Sequence, residues 1–215
     1  MTNFIPIFPL NIVVYPGEVL NLHIFEPRYK QLIKECLKDK KQFGIPVVLD
    51  KDRGVEEYGT LMEVTELVQE YDNGELDIRT RGEKIFRLLE TVQEIPDKLY
   101  SGAIVTYPPN VMTQGDSRLA NNVFGEVKRL FTLLNAAEKF PSGKKEMVSY
   151  EIGHLVGLSK QQEYELFSIF TEIQRLEYLR RHLNGITKAV QDLERVKERI
   201  QMNGHFRDLS LNDFE

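Results

Sequence analysis

Four histidines, one cysteine and 33 acidic residues are the raw material for any chemistry in this chain. The histidines are His23, His154, His182 and His205, and no two stand at metal-ligand spacing. Glu151-Ile152-Gly153-His154 matches the Glu-x-x-His step of di-iron helical bundles. Such a site needs a second step and further carboxylates, so a solvated helix face is expected there and no metal. His23 falls on the polar side of an alternating stretch, where a surface or hydrogen-bonding role is expected. Cys36 lies on an apolar helical stripe; free cysteine is usually buried, which makes it a small core residue rather than a nucleophile. The loops G-x-x-x-x-G-K-[S/T] and G-x-G-x-x-G and the elbow G-x-S-x-G are all missing. No cofactor is expected, and no catalytic residue is assigned. Two basic groups, Lys38/Lys40/Lys41 and Arg175/Arg180/Arg181, suggest nucleic acid only weakly. The first suits the negative end of a helix dipole. Neither alternates with aromatics to make a stacking groove.

Two segments of different period must position these residues. Up to about residue 110 the pattern is mostly period two with turn signals, and beyond it the period is helical. Tyr107-Pro108-Pro109-Asn110 through Gly115-Asp116-Ser117 is the junction, where prolines stop a strand and Asp116 or Ser117 caps a helix. Before it, Ile5 to Val14 reads as an extended segment broken by prolines, and Pro16-Gly17 as a turn. Leu20, Leu22 and Ile24 alternate with Asn21 and His23 as a half-buried strand. Pro27 opens a helix whose Tyr29, Leu32, Ile33, Cys36 and Leu37 share one face. Strands are expected at 44–49, 59–71, 75–81, 84–92 and 100–106, with Asp72-Asn73-Gly74 as a hairpin turn.

In the second segment Leu119, Val123, Val127, Leu130, Phe131 and Leu134 form one stripe. Pro141-Ser142-Gly143 breaks it, a short helix ends at Gly157, and Ser159 with Gln162 makes a capping box. Leu176, Leu179, Leu183, Ile186, Val190 and Leu193 then repeat at a 3-4 spacing, a heptad seam. Either the other helices or a second copy of the chain must cover it. The expected organisation is α+β, with a β subdomain over 1–110, a helical subdomain over 111–203 ending in a long helix, and a flexible tail over 204–215.

The bulk numbers exclude several classes. Hydrophobic residues make 41% and charged residues 28% of 215, values of an ordinary globular protein. The net charge is −5, and residues 1–110 carry all of it, with 13 Lys and Arg against 18 Asp and Glu. That argues against nucleic acid as a partner. A single cysteine forms no internal disulfide. The start lacks a basic leader, and no run of about 18 apolar residues is present to cross a bilayer, so the expectation is a cytoplasmic protein without membrane contact.

Several blocks then occur in a familiar order. Ile5-Pro6-Ile7-Phe8-Pro9-Leu10 through Tyr15-Pro16-Gly17-Glu18 resembles the opening of the N-terminal, substrate-binding domain of Lon proteases. Ile24-Phe25-Glu26-Pro27-Arg28-Tyr29 resembles the signature of that family's stand-alone bacterial branch. Phe43-Gly44-Ile45-Pro46-Val47-Val48 with Tyr58-Gly59-Thr60-Leu61-Met62-Glu63-Val64 is similar to its middle strands. Arg79-Thr80-Arg81-Gly82-Glu83-Lys84-Ile85-Phe86-Arg87-Leu88 is similar to its later strand. The resemblance is specific over about the first 106 residues and looser over the helices.

The run of strands already suggests a curled sheet or open barrel carrying one helix, and the resemblance implies that this β-barrel or curled sheet is PUA-like and is followed by a helical bundle. It also implies a non-catalytic module that binds unfolded or apolar protein segments and works with a protease or chaperone. The chain ends before ATPase or protease domains would begin, so neither activity is expected of it. Pro16 and Gly17 would make a turn, Pro27 start a helix, Glu26 and Arg28 form a buried or half-buried pair that locks the strand to the helix, and Gly59 and Gly82 permit tight backbone. A recognition surface would involve Tyr15, Phe25, Tyr29 and Tyr71. Two alternatives stand beside this reading: RNA binding, because PUA-like folds often bind RNA, and a hydrolase with an unrecognised site, supported only by the family name. Self-association through the seam 176–193 is a further expectation.

Overall fold

The computed structural model describes residues 2–112, 117–140 and 149–209, with 203–209 described by their backbone alone. Gly115 and Asp116 of the expected junction, the Pro141-Ser142-Gly143 break and the tail beyond 209 lie outside the described residues. The chain divides into two compact units: Met1–Thr113 with Gly153–Thr171, and Gln114–Ile152 with Glu172–Glu215.

The first unit is built on six antiparallel strands: β1 (Asn3–Pro6), β2 (Val19–Ile24), β3 (Phe43–Pro46), β4 (Tyr58–Glu70), β5 (Leu76–Val92) and β6 (Gly102–Thr106). Their order is β1-β6-β5-β4-β3, with β2 paired to β5. The expected PUA-like barrel or curled sheet does not form, because the ladder path has two ends, β1 and β3. The chain after β1 makes only single parallel bridges, Ile7 with Gly44 and Leu10 with Val47. Pro6 and Pro9 lack the N–H that a continuous ladder there would use.

Strand β5 runs unbroken for 17 residues where two strands were expected. Its first half lies between β2 and β4, and its second between β4 and β6. Gly82 is the changeover, and its role is close approach rather than interruption. A Cβ there would stand 2.6 Å from the Tyr15 carbonyl oxygen. Gly17 takes the positive φ of 87° that the Pro16-Gly17 turn needs, and its N–H donates to the Gly82 carbonyl at 2.7 Å. Between β4 and β5, Gly74 has φ 77° and the Glu75 N–H donates to the Asn73 side chain at 3.0 Å, which closes the hairpin.

Helix α1 (Pro27–Asp39) begins on Pro27 as its first residue and buries Tyr29, Leu32, Ile33 and Cys36. These residues join Phe8, Phe43, Ile45, Met62 and Ile78 in the main core. Glu26 and Arg28 do pair, at 2.8 Å, but at the surface, where such a pair contributes about 0–1 kcal/mol. Helix α4 (Lys160–Phe167) completes this unit. Its capping box is present, Ser159 accepting from the Gln162 N–H and Gln162 from the Ser159 N–H.

In the second unit α2 (Ser117–Leu133) packs along α5 (Glu172–Leu209). Val123, Val127 and Leu130 of α2 and Leu176, Leu179 and Leu183 of α5 are buried. Arg175, grouped from sequence with Arg180 and Arg181 as a basic cluster, is fully buried. Its guanidinium donates to Glu172 at 2.7 Å and to the Ser149 hydroxyl at 2.8 Å, and it lies 4.2 Å over the Tyr150 ring. Ser149 opens α3 (Ser149–Gly153), so a buried ion pair ties that helix to the start of α5.

Two glycines make opposite predictions. A Cβ on Gly59 would meet the Ile45 carbonyl oxygen at 2.5 Å and the Pro46 Cα at 2.6 Å, both backbone. Gly59→Ala is expected to lower stability by about 1–3 kcal/mol. Gly125, inside α2 with open space around it, is expected to gain about 0.5–1 kcal/mol on change to alanine. Urea midpoints at constant slope read both.

Candidate functional site

The four aromatics expected to make a recognition surface part into two pairs. Tyr15 is buried, its ring 6.3 Å from Phe167 and 4.6 Å from the His154 ring. Tyr29 is also buried, stacked 3.8 Å from Phe8. Both belong to the core of the first unit. Phe25 and Tyr71 are 59% and 42% exposed, and one residue outside that expected set brings them together. His23 stacks against Phe25 at 6.2 Å and meets Tyr71 edge-on at 6.0 Å.

The strand period explains the assembly. Val19, Asn21 and His23 point away from the core, while Leu20, Leu22 and Ile24 point into it. Register places His23 opposite Asp77. The His23 Nδ1 lies 2.7 Å from one Asp77 oxygen, and the Tyr71 hydroxyl donates to the other at 2.6 Å. The His23 Nε2 lies 3.2 Å from Glu75. The Asp77 hydrogen bond, with both carboxylate charges, raises the imidazole pKa above its ordinary value. The result is an aromatic ledge with a fixed polar base. Val68 adds 49% exposed apolar surface at a register shift in β4. An open depression of about 380 Å³ lies beside it, lined by His23, Val68, Asp77 and Arg79 among others. A second depression, about 590 Å³, lies between Phe4, Lys41, Lys84 and Tyr107. It holds none of the expected site residues, and its cations are engaged, Lys41 by Asp39 and Lys84 by the Tyr107 ring.

The residues first inspected for chemistry hold the fold instead. His154 sits between two carboxylates, Nδ1 at 2.8 Å from Glu163 and Nε2 at 3.1 Å from Glu18. Burial disfavours its charge, but the hydrogen bonds and charges of Glu18 and Glu163 outweigh burial and lift its pKa to about 9. Burial pushes the Cys36 thiol up to about 12, far from a nucleophile. Arg180 and Arg181 both close on Glu177, at 2.7 and 3.0 Å. Among the described residues no cluster of His, Cys, Asp or Glu is arranged to hold a metal. No described helix is long and apolar enough to cross a membrane.

Residues 5–185 match the family described as the ATP-dependent protease La (LON) substrate-binding domain. The chain belongs to that family. Two solved structures share the fold of this LON domain. A Lon N-terminal domain protein from Xanthomonas campestris superposes with a TM-score of 0.63 at 23% identity, over 82% of this chain and 96% of its own. The N-terminal domain of a Mycobacterium avium complex Lon protease gives 0.58 at 14% identity, over 85% of this chain and 98% of its own. The matched LON domain is a substrate-binding module, neither the ATPase nor the protease. Membership therefore assigns binding to this chain and no catalysis.

The Glu18–His154–Glu163 clasp gives a pH test. An imidazole whose pKa rises from 6.5 unfolded to about 9 folded stabilises fully below pH 6.5. That contribution is lost as pH rises through about 9. Thermal melts of wild type are expected to fall across this window, and His154→Gln is expected to flatten the fall while lowering the melt at pH 6. Parallel curves for the two proteins would contradict it.

Proposed function

We propose that this LON domain captures exposed apolar segments of other proteins on the outer face of β2, β5 and β4. The observation that supports this is the ledge of Phe25, His23 and Tyr71, with Val68 beside an open depression. Aromatic side chains fixed by polar partners present apolar area at low entropic cost, which is how binding hot spots are built. The bound segment would pass to a protease or chaperone in the cytoplasm.

Self-association through the seam 176–193 belongs to the same proposal. Leu176, Leu179 and Leu183 are already buried, whereas Leu193 is 55% exposed, so a second copy would meet the chain toward Leu193.

The chain has no tryptophan, so a short apolar peptide carrying one reports its own binding by fluorescence. Phe25→Ala and Tyr71→Ala are each expected to weaken that binding by about 5- to 30-fold, the cost of truncating an aromatic anchor. Leu99→Ala should change nothing, and an RNA of similar length should not compete. Equal affinities for all three variants would contradict the site. Light scattering on the same samples reads self-association, and a monomer mass at every concentration would remove it.

A further inference from the structure

The edges of the sheet differ in how they are guarded. Strand β1 carries Pro6, and the outer side of β3 is taken by residues 7–10, where the Phe8 N–H donates to the Gly44 carbonyl and the Leu10 N–H to the Pro46 carbonyl. The outer half of β4, from Val64 to Glu70, carries two carboxylates, Glu66 and Glu70, and two register shifts. Prolines, charges and bulges are what natural edge strands use to prevent further pairing. Strand β2 has none of these. Its six residues, Val-Leu-Asn-Leu-His-Ile, include no acid, lysine, arginine or proline, and its ladder to β5 runs without a register shift. Among the described residues no strand pairs with its other side.

The direction of its backbone groups follows from one bond. The Gly82 N–H donates to the Glu18 carbonyl at 2.9 Å, which sets the phase of the β2–β5 ladder. Alternation then turns the N–H and C=O of Leu20, Leu22 and Ile24 toward β5. The Thr80 hydroxyl, donating to the Leu20 carbonyl at 2.9 Å, agrees with that phase. The N–H and C=O groups of Val19, Asn21 and His23 face away from the sheet. Leu20 and Leu22, on the core side, are only half-buried.

We infer that β2 receives an extended peptide segment as an added strand, an inference that rests on the peptide-binding reading above. The hydrogen-bonding row specifies the occupant. Three donors and three acceptors, spaced along a strand about 20 Å long, are met by the main chain of an extended segment of about six residues. Its side chains alternate. One set covers Leu20 and Leu22 and is apolar. The other lies beside Val19, Asn21 and His23 and runs on toward Phe25. The occupant is thus an unfolded segment without proline and with an apolar residue at every second position. The main chain supplies affinity for many sequences, and the aromatic ledge selects among them.

The test uses the full chain, isotopically labelled, and a soluble proline-free peptide of about eight residues alternating valine and threonine. Two isomers of the peptide carry N-methyl groups on one or the other parity of residues. Saturating peptide is expected to slow hydrogen exchange at the Val19, Asn21 and His23 amides by about tenfold or more, and one N-methyl isomer is expected to lose about tenfold in affinity while the other binds as the parent does. Asn21→Pro removes only an outward N–H and should reproduce the loss with its thermal melt retained; if that variant does not fold, the N-methyl pair decides alone. Binding with no change at the three amides and equal affinity of both isomers overturns the edge site while leaving capture on the outer face intact. No binding of the parent peptide overturns both. Protection that rises with protein concentration in the absence of peptide assigns the edge to a second copy of the chain and also overturns the inference.

Discussion

The first unit depends on one backbone contact. The turn at Tyr15–Glu18 lies directly on Gly82, with hydrogen bonds of 2.7 and 2.9 Å between the two main chains and no room for a Cβ. At that point β5 gives up β2 as a neighbour and takes β6 further on. From the same turn Tyr15 reaches Gly153 and Phe167, and Glu18 reaches His154, so segments more than a hundred residues apart in sequence are fixed together. Their closeness explains why both glycine and aromatic are needed. A Cβ on Gly153 would stand 2.7 Å from the Tyr15 ring.

The surface proposed for binding inherits its precision from that contact. Strand β2 leaves the turn immediately after Glu18, so its register against β5 is set before its outward residues begin. A shift by one residue would exchange every core side chain for a solvent one. His23 would then lose Asp77, and the ledge that holds Phe25 and Tyr71 would dissolve. Fold and candidate site are therefore linked through register. Substitutions at the turn should affect binding without touching the bound segment.

Much of this was legible in the residues. Alternation located β2, Pro27 located α1, the Asp-Asn-Gly turn located the hairpin, and Ser159 with Gln162 located α4, because each signal is local. The ordered blocks also pointed to the LON family, which the match over residues 5–185 establishes. What failed was non-local. Two strands were expected at 75–81 and 84–92 where β5 is continuous, and although Gly82 was expected to permit tight backbone, a sequence does not show which backbone passes over it. The curled sheet or open barrel was expected from the run of strands and its PUA-like form from a resemblance, whereas closure depends on ladders that prolines near β1 interrupt. Tyr29 already lay on the apolar stripe of α1, so its burial was readable and the binding role given to it conflicted with that stripe. Tyr15 had no such signal, because its cover comes from residues 153–167. His23 was read as a polar strand residue, and only register reveals that it joins Phe25 to Tyr71. Arg175 looked like part of a basic cluster until Glu172, Ser149 and Tyr150 closed around it.

The central claim is that one face of the sheet, and no other apolar patch, holds non-native protein. Site-specific photocrosslinking tests it most directly. A photoreactive phenylalanine analogue placed at Phe25 in one protein and at Leu99, exposed elsewhere on the same unit, in another is irradiated with a reduced, alkylated and permanently unfolded protein. Strong crosslinking from position 25 and little from 99, abolished when the target is folded, is the predicted result. Equal yields from both positions, or equal yields with folded and unfolded targets, would contradict the account.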